Sequence, residues 1–125
     1  MTENDISYKI RGAIFNVFNA LGPGLLESAY EAALMYEMIK LGLTVKSQVA
    51  LPLIYDEIKM DVGYRIDLLV EDKVIIEIKS VETLAEVHHK QVITYLKLSG
   101  KKLGLLVNFN CVEIDKSIFR KVNDL

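Results

Sequence analysis

Two acidic residues and a lysine lie within one short stretch of the chain, at Asp67, Glu77 and Lys79. The aliphatic and β-branched residues around them predict two strands, Val62 to Val70 and Val74 to Lys79, joined by a short acidic turn. Side chains alternate along a strand, so Glu77 and Lys79 point to the same side. Antiparallel pairing of the two strands brings Asp67 alongside Glu77. The three charged groups then converge at one end of an apolar sheet.

Metal-assisted hydrolysis of a phosphodiester is the chemistry that such a group favours. Two carboxylates a few ångströms apart repel each other, and a divalent cation such as Mg²⁺ relieves that repulsion by binding hard oxygen ligands. A nearby lysine can orient an attacking water or stabilise the charge that develops on a phosphate. The alternative is an edge hairpin with solvated charges and an ordinary Glu–Lys neighbour pair. The two strands alone do not decide between these interpretations.

Polar residues on two predicted helices could complete this site, and each has a plainer structural interpretation. Glu27, at the start of a helix, is either a third metal-binding carboxylate or a surface residue that interacts with the helix dipole. Gln91 and Tyr95 share one helical face, so they could bind a phosphate or brace the lysine. Taken in isolation, Tyr95 is better interpreted as a core residue and Gln91 as a surface residue.

Composition predicts one globular domain over residues 1–125, because the chain is 51% hydrophobic and 26% charged. Its formal net charge of −2 gives no overall attraction to nucleic acid, although basic residues cluster in the C-terminal half. The single Cys111 cannot form an internal disulfide, which predicts a reducing, cytoplasmic location. No apolar run is long enough to cross a bilayer, so we expect no membrane association.

Several other kinds of active site are not supported. His88 and His89 are adjacent, and neighbouring helical side chains point about 100° apart, so a shared metal is unfavourable. With one cysteine in the chain, a zinc site is disfavoured further. We interpret the histidines as surface groups or phosphate contacts. The chain lacks both a Gly-rich phosphate loop and a Gly-x-Ser-x-Gly motif.

The elements that must position these residues follow from periodicity. Apolar residues at helical spacing predict helices over 6–21, 26–41 and 84–98, the first capped by Asn4 or Asp5. Alternation over 44–54 predicts a strand with Val45, Ser47, Val49 and Leu51 on one face. Continuous apolar character over 102–109 predicts a strand buried on both faces, connected in parallel through the third helix. The tail at 118–122 either adds a short strand or covers an edge.

Two motifs resemble known protein families. Asp67, followed by Glu77-Ile-Lys79 and a helix bearing Gln91-x-x-x-Tyr95, resembles the PD-(D/E)XK nuclease superfamily. The stretch Gly24-Leu-Leu-Glu27-Ser-Ala-Tyr30 is similar to the signature of the GxxExxY protein family, a small single-domain branch of that superfamily. The resemblance covers nearly the whole chain in the right order of elements. It departs from the superfamily pattern at Ile66, which stands where the superfamily's name has a proline.

This resemblance implies an α/β fold with a restriction-endonuclease-like core, in which helices flank a central mixed sheet of about four strands. It implies Mg²⁺ or Mn²⁺ as the cofactor, and the implied metal ligands are Glu27, Asp67 and Glu77. In the same pattern Lys79 would assist the attacking water. Gln91 and Tyr95 would occupy the accessory helix position of the exonuclease-like branch.

Two functions therefore follow from the sequence. The first is a metal-dependent nuclease acting on nucleic acid, with DNA favoured over RNA. The alternative is a nucleic-acid-binding or protein-binding module that keeps the fold without efficient catalysis, since fold alone does not fix function. A purely structural oligomer is a third, weaker alternative. We also expect a homodimer, because a chain of this size offers limited surface for gripping a duplex.

Overall fold

The computed structural model describes residues 1–125. Its helices and strands follow the order of the predicted elements. The helices are α1 (Glu3–Leu21), α2 (Glu27–Lys40) and α3 (Glu86–Ser99), with a 3₁₀ turn at Ile114–Lys116. The strands are β1 (Val45–Ala50), β2 (Leu53–Tyr55), β3 (Ile58–Met60), β4 (Arg65–Val70), β5 (Val74–Lys79), β6 (Leu103–Asn108) and β7 (Ile118–Val122).

Five strands form one mixed sheet in the order β1-β4-β5-β6-β7, and β2 with β3 forms a separate hairpin. Strands β5 and β6 are parallel and are connected through α3, whereas the other neighbours in the sheet are antiparallel. The predicted α/β fold with a central mixed sheet is therefore confirmed. The sheet has five strands because the tail forms β7 along β6 rather than merely covering the edge.

Two apolar layers hold helices against the two faces of the sheet. The larger core lies between the sheet and the helices α1 and α2, and the smaller core lies between the sheet and α3. All six residues of β6 are buried, as its continuous apolar sequence predicts. Gly104 allows the close approach of α3, because a Cβ atom there would lie 2.7 Å from Cγ1 of Val92. None of the three helices combines the length and apolar character that a membrane span requires.

Local sequence signals explain where the observed elements differ from prediction. Helix α1 begins earlier than predicted, because Thr2 caps it in a reciprocal capping box with Asp5. The strand predicted over 44–54 is interrupted around Pro52, which cannot donate to a ladder. The strand predicted from Val62 begins at Arg65 instead.

The expected placement of residues 45–51 on a single face is wrong. Val45 packs against the α1/α2 core, whereas Val49 and Leu51 pack in the α3 core. In the neighbouring strand Leu68 belongs to the α1/α2 core and Ile66 to the α3 core. Residues two apart in a regular strand share a face, so β1 and β4 both change face between these positions. The change lies at Gln48 and Asp67, between the pairs Ser47–Leu68 and Val49–Ile66, where the β1–β4 ladder is interrupted.

Candidate active site

Asp67 and Glu77 lie where β4 and β5 diverge, a place we call the strand fork. The β4–β5 ladder ends at the pair Leu68 and Ile76, which puts the two acidic residues next to each other. The backbone N–H of Asp67 donates to Glu77 Oε2 at 3.3 Å, and the N–H of Ile78 donates to Asp67 Oδ2 at 2.8 Å. Each carboxyl group thus accepts a backbone hydrogen bond from the neighbouring strand, which holds the pair together.

Glu77 is a buried carboxyl group, with 2% of its surface exposed. Its burial, its hydrogen bond with the Asp67 side chain and the negative charge of Asp67 raise the pKa of Glu77 to about 10. The bond from the Asp67 N–H and the charge of Lys79 oppose this rise in pKa. At neutral pH Glu77 is therefore protonated. A divalent cation would favour its ionised form.

Lys79 lies at the end of β5, half-buried and close enough to Glu77 for its charge to act on that carboxyl group. Residues at the end of β6 hold the backbone around Lys79 through hydrogen bonds. Asn108, 6% exposed, accepts from the N–H of Val81 at 3.1 Å and donates to the carbonyl of Val81 at 2.9 Å. Phe109 N–H donates to the carbonyl of Lys79 at 2.9 Å. Sequence reasoning missed Asn108, whose only signal is a polar residue that ends an apolar strand.

Glu27 begins α2, is exposed, and lines a cleft of about 220 Å³ beside the strand fork. Its Oε1 accepts from the N–H of Ser80 at 3.3 Å. Asp67, Glu31 and Gln48 line the same cleft. Burial and the neighbouring charge of Asp67 raise the pKa of Glu31, although a hydrogen bond from Gln48 counters them. Glu31 and Gln48 were not predicted as site residues, because nothing in the sequence distinguishes them from surface residues.

Tyr30 fixes the loop that leads into Glu27. Its hydroxyl accepts from the N–H of Leu25 at 3.2 Å and donates to the carbonyl of Gly22. Its ring stacks on Phe109, with centroids 4.3 Å apart and planes 4° apart. Gly24 has φ 103°, a conformation that side chains disfavour. The glycine and the tyrosine of the motif thus shape the turn, and the glutamate between them reaches the cleft.

Gln91 and Tyr95 approach the strand fork from the α3 side. Gln91 Nε2 donates to Tyr95 Oη at 3.1 Å. Tyr95 is 3% exposed within the α3 core, where burial and the charges of Glu77 and Asp67 raise its pKa against the hydrogen bond from Gln91. Gln91 and Tyr95 also line a pocket of about 200 Å³ together with Tyr64. Tyr95 is therefore both a core residue and a neighbour of the carboxyl pair.

The two histidines have separate structural contacts. His88 Nδ1 accepts from the N–H of Ala85 at 3.0 Å, which satisfies a free donor at the start of α3. His89 contacts Phe119 edge-on, with ring centroids 5.0 Å apart. The rings of His88 and His89 therefore have different surroundings.

Hard carboxylate oxygens are the donors that this site presents, and they suit Mg²⁺ or Mn²⁺. No three His, Cys, Asp or Glu side chains in the structure are grouped closely enough to hold a metal ion. The two fork carboxyl groups are adjacent, and Glu27 lines the same cleft as Asp67. This set fits Mg²⁺, which keeps several waters and is commonly bound through only one or two carboxylates.

A mixed sheet between helices, with two acidic residues and a lysine at the strand fork, defines a restriction-endonuclease-like fold. The family model of the PD-(D/E)XK nuclease superfamily matches residues 4–121. The chain belongs to this superfamily. Searches of curated proteins and of solved structures find no match. Divalent metals are general cofactors of PD-(D/E)XK nucleases, and nucleic acid is their class of substrate.

Removing the Tyr30 hydroxyl should loosen the loop before Glu27. We expect Tyr30→Phe to lower the free energy of unfolding by about 1 kcal/mol, because the N–H of Leu25 and the carbonyl of Gly22 lose their hydrogen-bond partner. Urea denaturation measures this change. Tyr36→Phe on the same helix is the matched control, since Tyr36 is 64% exposed. Equal stabilities of the two variants would contradict the bracing role.

Replacing Glu77 with glutamine should change how stability depends on pH. The pKa of Glu77 is raised from 4.5 to about 10, so its contribution to stability is complete below the lower value and is lost as pH rises toward the higher one. This loss is on the order of 3 kcal/mol by about pH 7. We expect Glu77→Gln to become progressively more stable than the wild type between about pH 5 and pH 9.

Urea denaturation of the metal-free protein across this range measures the difference in unfolding free energy. Glu82→Gln, at an exposed position just after β5, is the control and should follow the wild type. If the Glu77→Gln and wild-type curves stay parallel, Glu77 is not protonated in the folded protein.

Proposed function

We propose that this protein is a metal-dependent nuclease that hydrolyses phosphodiester bonds in nucleic acid, with DNA as the favoured substrate. The observation that carries the proposal is the strand fork, where Asp67 and Glu77 are adjacent and Lys79 lies close by. A protein that needed only a stable sheet would not place two carboxyl groups together there, because their burial is costly unless they are paired or hold a metal.

Asp67 and Glu77 would hold Mg²⁺ or Mn²⁺ at the fork, and Glu27, which lines the same cleft as Asp67, would contribute a third carboxylate. The bound cation would neutralise charge on the phosphate. Glu77 must lose its proton to act as a ligand, so metal binding should release a proton. The backbone N–H of Ser80 donates to Glu27 and so helps to hold this carboxylate at the cleft.

Lys79 would act on the attacking water. Its ammonium group can orient that water and stabilise the negative charge that develops on the phosphate. The water oxygen then forms a bond to phosphorus and the bridging P–O bond breaks. The water's proton goes to solvent, and the leaving oxygen takes up a proton. Asn108 supports this role by fixing the backbone that follows Lys79.

Gln91 and Tyr95 would act on the substrate from the α3 side of the fork. The amide of Gln91 has a second hydrogen that can bind a phosphate oxygen, while its bond to the Tyr95 hydroxyl sets its orientation. The pocket beside them opens next to Lys90, which adds a positive charge. We therefore propose that the substrate backbone passes along this pocket.

We also propose membership of the GxxExxY protein family, within a single nuclease-like domain spanning residues 1–125. Support comes from the structural fit of the motif, in which Gly24 and Tyr30 shape the turn that presents Glu27.

The one cysteine, Cys111, is free and suits a reducing cytoplasm.

Lys79→Ala should separate catalysis from folding. We expect the wild type to cut DNA with Mg²⁺ or Mn²⁺, and the variant to be at least about 100-fold slower, because the lost charge acts on the transition state. Gel assays on linear duplex, single-stranded and circular DNA, with an RNA of the same sequence, measure this. Lys97→Ala, an exposed position on α3, is the matched control. Undiminished cleavage by Lys79→Ala would remove the mechanism.

A binding module without catalysis is the competing function, favoured by the lack of a grouped three-carboxylate metal site. Calorimetric titration of Mg²⁺ and Mn²⁺ into the wild type and an Asp67→Ala, Glu77→Ala double variant distinguishes the two. The nuclease is supported if the wild type binds metal and cleaves DNA, and the double variant no longer binds the metal. Salt-dependent DNA binding without cleavage under any divalent ion supports the binding module.

A homodimer would extend the surface available to a duplex and could present two active sites to its two strands. Exposed apolar side chains on the β2–β3 hairpin, including Ile54, Tyr55 and Ile58, provide apolar surface that association could bury. Sedimentation velocity should therefore show a species of twice the 14.1 kDa chain mass. A monomer at all concentrations would contradict the dimer.

A further inference from the structure

We propose that Gln48 is a positioning residue of the active site, which holds the Asp67 carboxylate at the strand fork through its side-chain amide. This inference rests on the proposed function, in which Asp67 is a metal ligand. Gln48 lies on β1, the strand at the edge of the sheet, at the one position where the ladder with β4 is interrupted, and its side chain reaches Asp67 of β4. No motif of the sequence marks it.

The amide of Gln48 bridges two acidic residues from different elements. Its Nε2 donates to Asp67 Oδ1 at 3.3 Å and to Glu31 Oε1 at 2.9 Å. An amide nitrogen carries two hydrogens, so one group can satisfy both carboxylates. The other oxygen of Asp67 accepts from the N–H of Ile78. Gln48 and Ile78 therefore hold Asp67 from opposite sides and fix the orientation of its carboxylate.

The backbone of Gln48 adopts a conformation that other residues of β1 avoid. Its φ of 50° lies in the left-handed region, where a residue with a side chain is strained. The register of β1 with β4 is the same before and after this residue, because Ser47 pairs with Leu68 and Val49 with Ile66. The strain is therefore not the result of an inserted residue that would shift the pairing.

The strained residue coincides with the change of face in both strands. Leu68 and Val70 pack in the α1/α2 core, so regular alternation would turn Asp67 toward α3. Instead, Asp67 lines the cleft with Glu27 and Glu31 on the α2 side, while it still contacts Glu77. The left-handed backbone at Gln48 thus accompanies the placement of Asp67 between the two faces, and the Gln48 amide maintains that placement.

Two substitutions distinguish positioning from general stabilisation. Gln48→Gly relieves the left-handed backbone and removes the amide, whereas Gln48→Asn tolerates this backbone but is one methylene too short to bridge both carboxylates. We expect both variants to unfold at a Tm no lower than the wild type. Their affinity for Mn²⁺ should fall by about tenfold or more, as for other partners that orient metal ligands. Loss of a positioning residue lowers the Mn²⁺ affinity without lowering the Tm. Loss of a residue that only stabilises the fold lowers the Tm.

Binding is measured from the signal of free Mn²⁺ by electron paramagnetic resonance, with and without a short DNA duplex that carries a non-hydrolysable linkage. Lys46→Ala, an exposed position on the same strand, is the control and should match the wild type in both Tm and Mn²⁺ affinity. Wild-type affinity in Gln48→Gly, or a Tm that falls together with affinity, would overturn the role of Gln48 and leave the nuclease proposal standing. Absence of Mn²⁺ binding by the wild type in both conditions would overturn the proposed function itself.

Discussion

Two neighbouring carboxyl groups within an apolar sheet are the constraint on which the rest of this structure depends. Glu77 is almost fully buried, and Asp67 lies beside it at the point where β4 and β5 part. Two ionised acids at this place would repel each other in a medium that screens poorly. The protein accommodates the pair by protonating Glu77 and by donating a backbone N–H to each carboxyl group. Strand pairing must end there, because these N–H groups are no longer available to a regular ladder.

Because the pairing of β4 with β5 ends at the fork, residues from the helices on both faces of the sheet can approach it. A one-position change of face in a strand moves its side chains to the opposite layer. Because β4 changes face at Asp67, this residue meets Glu27 and Glu31 of α2, whereas Glu77 acts on Tyr95 of α3. Helices packed on opposite faces thereby contribute to one site. Clamps from Asn108 and Tyr30 hold the segments that carry Lys79 and Glu27.

Much of this arrangement could be predicted because it follows from local pattern. Helical spacing predicts the three helices, and apolar runs predict the main strands that bring Asp67 next to Glu77. The change of face could not be predicted, since Ile66 and Leu68 are both apolar and look equivalent in sequence. The proposed role of Gln48 could likewise not be predicted from the sequence, because it depends on tertiary contacts and a strained φ. Family resemblance identified the Gly24–Tyr30 motif, but only the structure explains what its tyrosine does.

The buried acid also bears on function. Glutamine could replace Glu77 with nearly the same shape, would have no charge to bury, and would lose no stability through ionisation as pH rises. A sequence selected for stability alone would therefore favour a neutral residue at this position. Residues that lower the stability of a protein concentrate at its functional sites, where a group is needed in an ionisation state other than the one that is most stable in the free protein. In the proposed metal site that state would be the ionised one, which a cation shared with Asp67 would favour. The property that makes the pair unfavourable in the free protein is thus the property that makes it suitable as a metal site.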